Sequence, residues 1–350
     1  MQPRNTPWWR PDLYARRRPN LLVRQTVLQA IRSHFCGLGF VEVETPALQV
    51  SPGLEPHLKA FATLLERPDG STRPLYLHTS PEFAMKKLLA AGEERLFQLA
   101  PVFRNGERAA LHYPAFLMLE WYRAGADYRV LMQDCEKLLR AIAAASGQTQ
   151  LRWQGQAADI AGPWQYLTVH EAFARFARLD LAACIGPDPH RPDLPAMQAA
   201  CRGIGIRVDA GDSWDDLYFR VALEKVEPNL GRDAPCILHD YPIHMAALSR
   251  PKAGAPHLAE RFELYACGVE LANAFSELTD AAEQRRRFEA DMALKKQLYG
   301  YDYPIDEEFI SALHHGLPDC AGIALGVDRL VMLLTGASRI EEVLWLPVAD

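Results

Sequence analysis

The stretch GIALGVDRLVMLLTG, Gly322 to Gly336, sets a charged pair, Asp328 and Arg329, inside an otherwise apolar run punctuated by glycines. GIALGV reads as a short strand whose glycines let another backbone or a flat ligand approach closely, and DRLVMLLTG reads as a helix. Aspartate in a first helical turn is ordinary capping, whereas arginine there opposes the helix dipole and calls for an anionic partner. A phosphate would serve, and so would a salt bridge between neighbours. Working outward, FQLAPVF (97–103) and FLMLEWY (116–122) read as strands joined by the polar loop RNGERAALHYPA, a long hairpin, and Arg104 leaves the first of them much as Arg329 leaves GIALGV. A strand period of two puts Phe116, Met118, Glu120 and Tyr122 on one face and Leu117, Leu119 and Trp121 on the other. The second face is core. The first carries a carboxylate on an apolar floor, which needs either a cationic ligand or a local arginine such as Arg104 or Arg123.

The rest of the chain frames these segments. A helix is predicted from Asn20 to Cys36, a strand at FVEVE (40–44) that Pro46 stops, a helix near 130–145, and a charged amphipathic helix from Asp280 to Leu298. Apolar segments lie at 234–239 and 262–275, and the weakly periodic stretch 146–216 reads as an insertion. Ser80 looks like a helix cap, with a pocket role for Glu82 as the sharper reading. GVELANAFSELTD favours a helix by propensity, with Glu270 and Glu277 on one solvated face; as a strand and turn they would converge on a metal or an ammonium group. Strands joined by hairpins around polar loops point to an α+β fold, an antiparallel sheet with helices packed on it. No glycine-rich phosphate loop follows a strand, so a nucleotide would need another cradle.

Composition excludes several classes. The chain has 350 residues, 49% hydrophobic, and a net charge of −6 from 38 basic and 44 acidic residues, which disfavours a broad nucleic-acid face while leaving local patches such as Arg16–Arg18. Seven scattered cysteines without C-x-x-C spacing argue against a disulfide framework and a zinc site, and histidines 239, 244, 314 and 315 show no metal-ligand spacing. No apolar run approaches the roughly 20 residues of a membrane helix and no secretory signal is apparent, so the cytoplasm is the expected location.

Taken together, GFVEVETPAL, FRNGERAALHYPAFLMLEWY and GIALGVDRL resemble the three signature motifs of class II aminoacyl-tRNA synthetases. TSPEFAMKKLL, ELANAFSELTD and PDCAGIALGVDR resemble the lysine-specific branch. The resemblance covers nearly the whole chain and implies a single catalytic domain over 1–350 with the insertion at about 146–216. Only about 20 residues precede the first predicted helix, too few for the anticodon-reading barrel of a lysyl-tRNA synthetase. That pattern is similar to the stand-alone paralogues that attach (R)-β-lysine to a lysine of translation elongation factor P, as is Ala324 where tRNA-charging enzymes usually carry glycine.

The resemblance implies ATP and Mg²⁺ as cofactors. Arg104 and Arg329 would be catalytic, holding the α- and γ-phosphates, with Asn105, Gly106, Glu107, His112, Tyr113, Phe116, Glu270, Leu271 and Gly326 completing the ATP site and Phe116 stacking on adenine. Ser80, Pro81, Glu82, Glu120, Tyr122, Asn273, Glu277 and Ala324 would bind (R)-β-lysine or lysine, and Glu270 with Glu277 would hold Mg²⁺. It also places Glu270 on a strand, against the propensity reading, and implies a homodimer through the first motif. Where the family commonly reads H-N-P-E-F this chain has His112-Tyr113-Pro114-Ala115-Phe116; Gly106 replaces a glutamate, with Glu107 next to it, and an arginine usual near Ala110 is absent. Two alternatives stand beside the ligase: a truncated synthetase charging tRNA, and a catalytically weakened paralogue with a binding or regulatory role.

Overall fold

The structure, a computed structural model, describes residues 7–348 apart from 187, 190 and 247. Its centre is a sheet of nine strands: β1 (Val41–Glu42), β2 (Arg95–Phe103), β3 (Ala115–Ala124), β4 (Gln165–Thr168), β5 (Cys236–Pro242), β6 (Pro251–Lys252), β7 (Ala255–Ala266), β8 (Val269–Ser276) and β9 (Cys320–Gly326). They lie in the order β1-β2-β3-β9-β8-β7-β5-β4, with β6 paired to β7. Only the outermost pairs, β1 with β2 and β4 with β5, are parallel; the middle is antiparallel, as the hairpins predicted.

Helices cover both faces. On one side α1 (Pro11–Gly37), α3 (Tyr128–Ser146) and α6 (Val327–Thr335) bury Phe35, Leu138 and Leu334 against Phe97, Leu119 and Trp121. On the other, α2 (Glu82–Ala90), α4 (Ala281–Tyr299) and α5 (Glu307–Gly316) pack Phe83, Phe288 and Phe309 over Leu96 and Tyr122. The alternation along β3 thus divides its residues between two cores, as a period of two requires. A third core, built from Val169 through Tyr265, closes the far edge of the sheet.

Several expectations need correction. α1 starts at Pro11 rather than Asn20 and carries Pro19 inside it. Arg17, inside the stretch Arg16–Arg18 left open as a local basic patch, is buried and donates to the carbonyls of Glu341 and Leu344, the latter at 2.7 Å. FVEVE contributes only the two residues of β1. Residues 262–275 are two strands that turn at Cys267 and Gly268, both at positive φ. The weakly periodic stretch 146–216 holds a hairpin (150–159), β4 and several short helices. Finally, 269–276 is a strand paired on both sides, with β7 and with β9, so hydrogen bonding to two neighbours overrides the helical propensity of ELANAF. All seven cysteines are free thiols, six of them buried.

Candidate active site

Asp328 and Arg329 do not pair with each other. Asp328 is buried and points back into the sheet, accepting a hydrogen bond from Leu117 N at 2.9 Å and an ion pair from Arg24 of α1. Arg329 points the other way, into a cavity of about 430 Å³ over the open face of β3, β8 and β9. Its guanidinium donates to the carbonyls of Leu111 (3.2 Å) and Glu270 (3.0 Å) and to His112 Nε2 (2.8 Å). Burial, and then the adjacent Arg329 charge, hold His112 below its ordinary value; the neutral ring accepts at Nε2, which places its proton on Nδ1. A first-turn arginine so fixed leaves its positive charge at the cavity wall.

Arg104 enters the same cavity where β2 ends. Its guanidinium lies 5.2 Å from the centre of the Phe116 ring, and its Nε is buried with no partner among the described residues. A buried, unsatisfied guanidinium N–H costs free energy until an anion accepts from it. Arg261 of β7, a residue the sequence reading passed over, lines the cavity as a third guanidinium and is braced by Glu263 (2.7 Å), Met245 O (2.7 Å) and Asn273 Oδ1 (3.3 Å).

The opposite end is acidic. Glu120 is buried and accepts from Ser80 Oγ (2.5 Å) and Tyr122 Oη (2.9 Å), while Ser80 Oγ also accepts from Glu82 N at the start of α2. Neither suggested arginine reaches Glu120: Arg123 binds Asp134, and Arg104 lies over Phe116. Burial, and then the charge of Glu82, push the Glu120 carboxyl up to about 8. Lys86, also missed, is fully buried between Glu82 and Glu277, each 2.5 Å from its Nζ. Burial works against its charge, yet the two carboxylates hold Lys86 above its ordinary value. Two carboxylates thus hold one ammonium, with the Glu120 carboxyl near them. Packing leaves no slack here, because a Cβ on Gly322 would collide with the Tyr122 ring and the Glu277 carboxylate.

Of the remaining expected residues, Glu107, Tyr113, Leu271, Asn273, Ala324 and Gly326 line the cavity, while Pro81, Asn105, Gly106, Glu120, Tyr122 and Glu277 do not, the last three standing behind its wall. Tyr113 is buried and donates to Val348 O at 3.3 Å, so its phenol faces the protein. The pairing of Glu270 with Glu277 at one metal ion is corrected. Glu270 lies at the start of β8 and Glu277 just past its end, seven residues and about 20 Å apart at a strand's rise per residue, and Glu277 is occupied by Lys86. Burial, and then the charge of Glu263, raise the Glu270 carboxyl above its ordinary value against the charges of Arg329, Arg104 and Arg261, and Glu227 is in turn pushed up to about 7 by burial and by Glu263 and Glu270. No cluster of three or more metal-ligating side chains exists among the described residues. Glu270, whose side chain is 42% exposed at the cavity, suits an ion such as Mg²⁺ that keeps one or two protein carboxylates and takes its other oxygens from phosphate and water.

A six-stranded antiparallel run with arginines leaving β2 and entering α6, and a nucleotide-sized cavity between them, defines a class II synthetase catalytic domain. The family model for "tRNA synthetases class II (D, K and N)" matches residues 13–350, and the chain belongs to that family. It is 38% identical over 344 residues to the elongation factor P–(R)-β-lysine ligase of Pectobacterium carotovorum, covering 96% of each chain. It is 39% identical over 334 residues to the protein of that name from Yersinia enterocolitica, covering 94% of this chain and 95% of that one. Against the lysine–tRNA ligase of Pelotomaculum thermopropionicum it is 37% identical over 326 residues, 93% of this chain but 62% of that protein.

Proposed function

We propose that the protein activates (R)-β-lysine or lysine with ATP and transfers the acyl group to a lysine side chain of elongation factor P. One observation carries this reading: a single cavity has at one end the Arg104 guanidinium, whose Nε is buried without a partner among the described residues, and at the other Glu82, with Glu120 and Glu277 behind the wall and Lys86 as the one ammonium among them. A diamino acid beside a polyphosphate neutralises both ends at once. The near-complete coverage of the β-lysine ligases, in both directions, supports the same assignment.

In this reading Phe116 stacks on adenine, Arg329 binds the γ-phosphate, and Arg104 neutralises the α-phosphate together with the substrate carboxylate that attacks it. Fixed cations stabilise charge that grows as pyrophosphate leaves, without reorganising. Bound Mg²⁺ supplies further neutralisation of the phosphates, with Glu270 holding it. The ammonium groups of the amino acid face Glu82, Asn273 and the Ser80–Glu120–Tyr122 network, and the Ala324 methyl shapes the floor where β9 lies between Glu120 and Asn273. The acceptor amine then attacks the acyl-adenylate and AMP leaves. We read the whole chain as one catalytic domain, with 146–216 as an insertion that completes the edge of the sheet. Exposed apolar side chains at Val41 and Leu48, beside the edge strand β1, support a homodimer, which sedimentation velocity at micromolar concentration tests. A cytoplasmic place follows from the proposed partner, and no helix among the described residues is long and apolar enough to cross a membrane.

ATP–pyrophosphate exchange with lysine and with (R)-β-lysine tests the first step. Mass spectrometry of elongation factor P, set against acid-precipitable labelling of tRNA, tests the second. Exchange with neither amino acid leaves only a binding role; label on tRNA alone favours the tRNA-charging reading.

A further inference from the structure

A second cavity, of about 220 Å³, opens beside the first, and Glu55, His57, Ser80, Glu82, Leu248 and Arg261 line both, so the two are continuous. Its outer wall is apolar: Phe219 is 48% exposed, Leu294 is 40% exposed, and Phe288 lies beneath them. Its charged groups are acidic, Asp215 toward the outside and Asp291 and Glu82 within, with the Arg261 guanidinium committed to Glu263. An apolar sleeve lined with carboxylates suits a long aliphatic stem ending in an ammonium group.

Glu55 stands at the junction. Its Oε2 is buried with no partner among the described residues. Gly53 makes the room: at φ +128 it is open to few other residues, and a Cβ there would sit 2.9 Å from Glu55 Oε2 and 2.5 Å from Thr79 Oγ1. The loop is tied down on both sides, by Thr79 Oγ1 donating to Pro52 O at 2.9 Å and by Lys295 Nζ donating to the carbonyls of Pro56 (2.9 Å) and Leu58 (2.6 Å). Lys295 is thus engaged by backbone. The other charges facing Glu55 are Glu82 of α2, Asp291 of α4 and Arg104. Nothing assigned to the activation step uses this carboxylate.

We propose, resting on the reading that the chain acylates a lysine side chain, that the smaller cavity admits the acceptor lysine and that Glu55 takes the proton from its ammonium group. The acceptor arrives as R–NH3⁺ and cannot attack in that form. Transfer of one proton to the Glu55 carboxylate frees the nitrogen lone pair, which forms the C–N bond at the acyl carbon. The C–O bond to the α-phosphate breaks, its electron pair leaves with AMP, and the second nitrogen proton passes to the departing phosphate oxygen. The amide is then neutral, and Glu55 returns its proton to solvent through the open end. Burial and the nearby Glu82 charge raise the Glu55 carboxyl above its ordinary value, which brings its basicity toward that of the amine.

The test is single-turnover transfer from preformed acyl-adenylate, to elongation factor P and separately to n-butylamine, by the full chain and its Glu55→Gln variant, beside ATP–pyrophosphate exchange. A general base contributes about 100-fold or more, so transfer at pH 7 falls by that factor while exchange changes less than about threefold. The pH profile separates proton transfer from mere structure. In E55Q the transfer rate rises about tenfold per pH unit toward the amine's own pKa, about 10.4, whereas the unmodified protein levels off lower. Glu55→Asp keeps the early plateau. Transfer by E55Q within threefold of the unmodified protein at pH 7, or loss of exchange in parallel with transfer, overturns the proposal. Absence of exchange in the unmodified protein instead sinks the parent reading, and this inference with it.

Discussion

Replacing Glu120 by glutamine tests whether the acidic pocket is built for a cation that the free protein lacks. The Glu120 carboxyl ordinarily ionises near 4.5; burial and the charge of Glu82 push it up to about 8 in the fold. The unfolded chain therefore gives up this proton long before the folded one does, so the folded state binds more protons across that window and stability falls as pH rises through it. Between pH 6 and pH 8 the integrated loss is about 2 kcal/mol, because holding one extra proton in the folded state costs about 1.4 kcal/mol for every pH unit climbed. With an unfolding entropy of about 2 cal/mol/K per residue, a chain of this length converts that to about 3 °C in Tm. Glutamine does not titrate. Because Glu227 and Asp291 are also pushed up, each to about 7, both proteins slope with pH, and the difference between them is the quantity to read. Thermal unfolding of both at the two pH values should show the unmodified protein losing about 3 °C relative to E120Q on going from pH 6 to pH 8. Saturating lysine should remove most of that loss, since an ammonium beside Glu120 favours the carboxylate, and should leave E120Q unmoved. A Tm difference independent of pH would show that the carboxylate is already compensated inside the protein, and the argument for a cationic substrate would fail with it.

Gly322→Ala places a methyl against Tyr122 and Glu277, and overpacking of this kind costs about 1–3 kcal/mol. Both side chains belong to the amino-acid end, so KM for lysine in the exchange assay should rise at least tenfold with KM for ATP unchanged; an equal rise in both would contradict the placement. Arg104→Ala removes the guanidinium that meets the growing negative charge, and exchange kcat should fall by about 10²–10³ with the fold intact by circular dichroism. A loss under tenfold would assign that role to Arg261 or Arg329 instead.

What the sequence disclosed follows the range of the forces involved. Alternation along FLMLEWY put Glu120 and Tyr122 on the face opposite Trp121, because strand geometry is local, and the awkward position of Arg329 at a helix start pointed to an anion for the same reason. The partner of Asp328 was out of reach: Arg24 lies 304 residues away, brought there by α1 packing on α6. Lys86 had a visible signal, its i,i+4 spacing from Glu82, but such pairs usually sit on solvated faces, and only Glu277 arriving from the end of β8 makes this one a buried bridge. Glu55 had none, being a loop residue outside any periodic pattern whose role depends on two cavities meeting.

The failed metal pair shows how one local error carries others with it. On a helix, seven residues advance about 10 Å along one face, near enough for two carboxylates to act together on a substrate; on a strand the same seven advance about 20 Å or more. The resemblance moved Glu270 onto a strand, and that move already excluded Glu277 as its companion at a single ion. Of the neighbouring carboxylates, Glu263 on the adjacent β7 is engaged by Arg261 and the Tyr265 hydroxyl, so Glu270 alone among them presents its carboxylate to a cation on that side of the cavity. Glu277, released from that role, is bound to Lys86 and packed close to Gly322 behind the cavity wall, where the proposed function needs charge for an ammonium group.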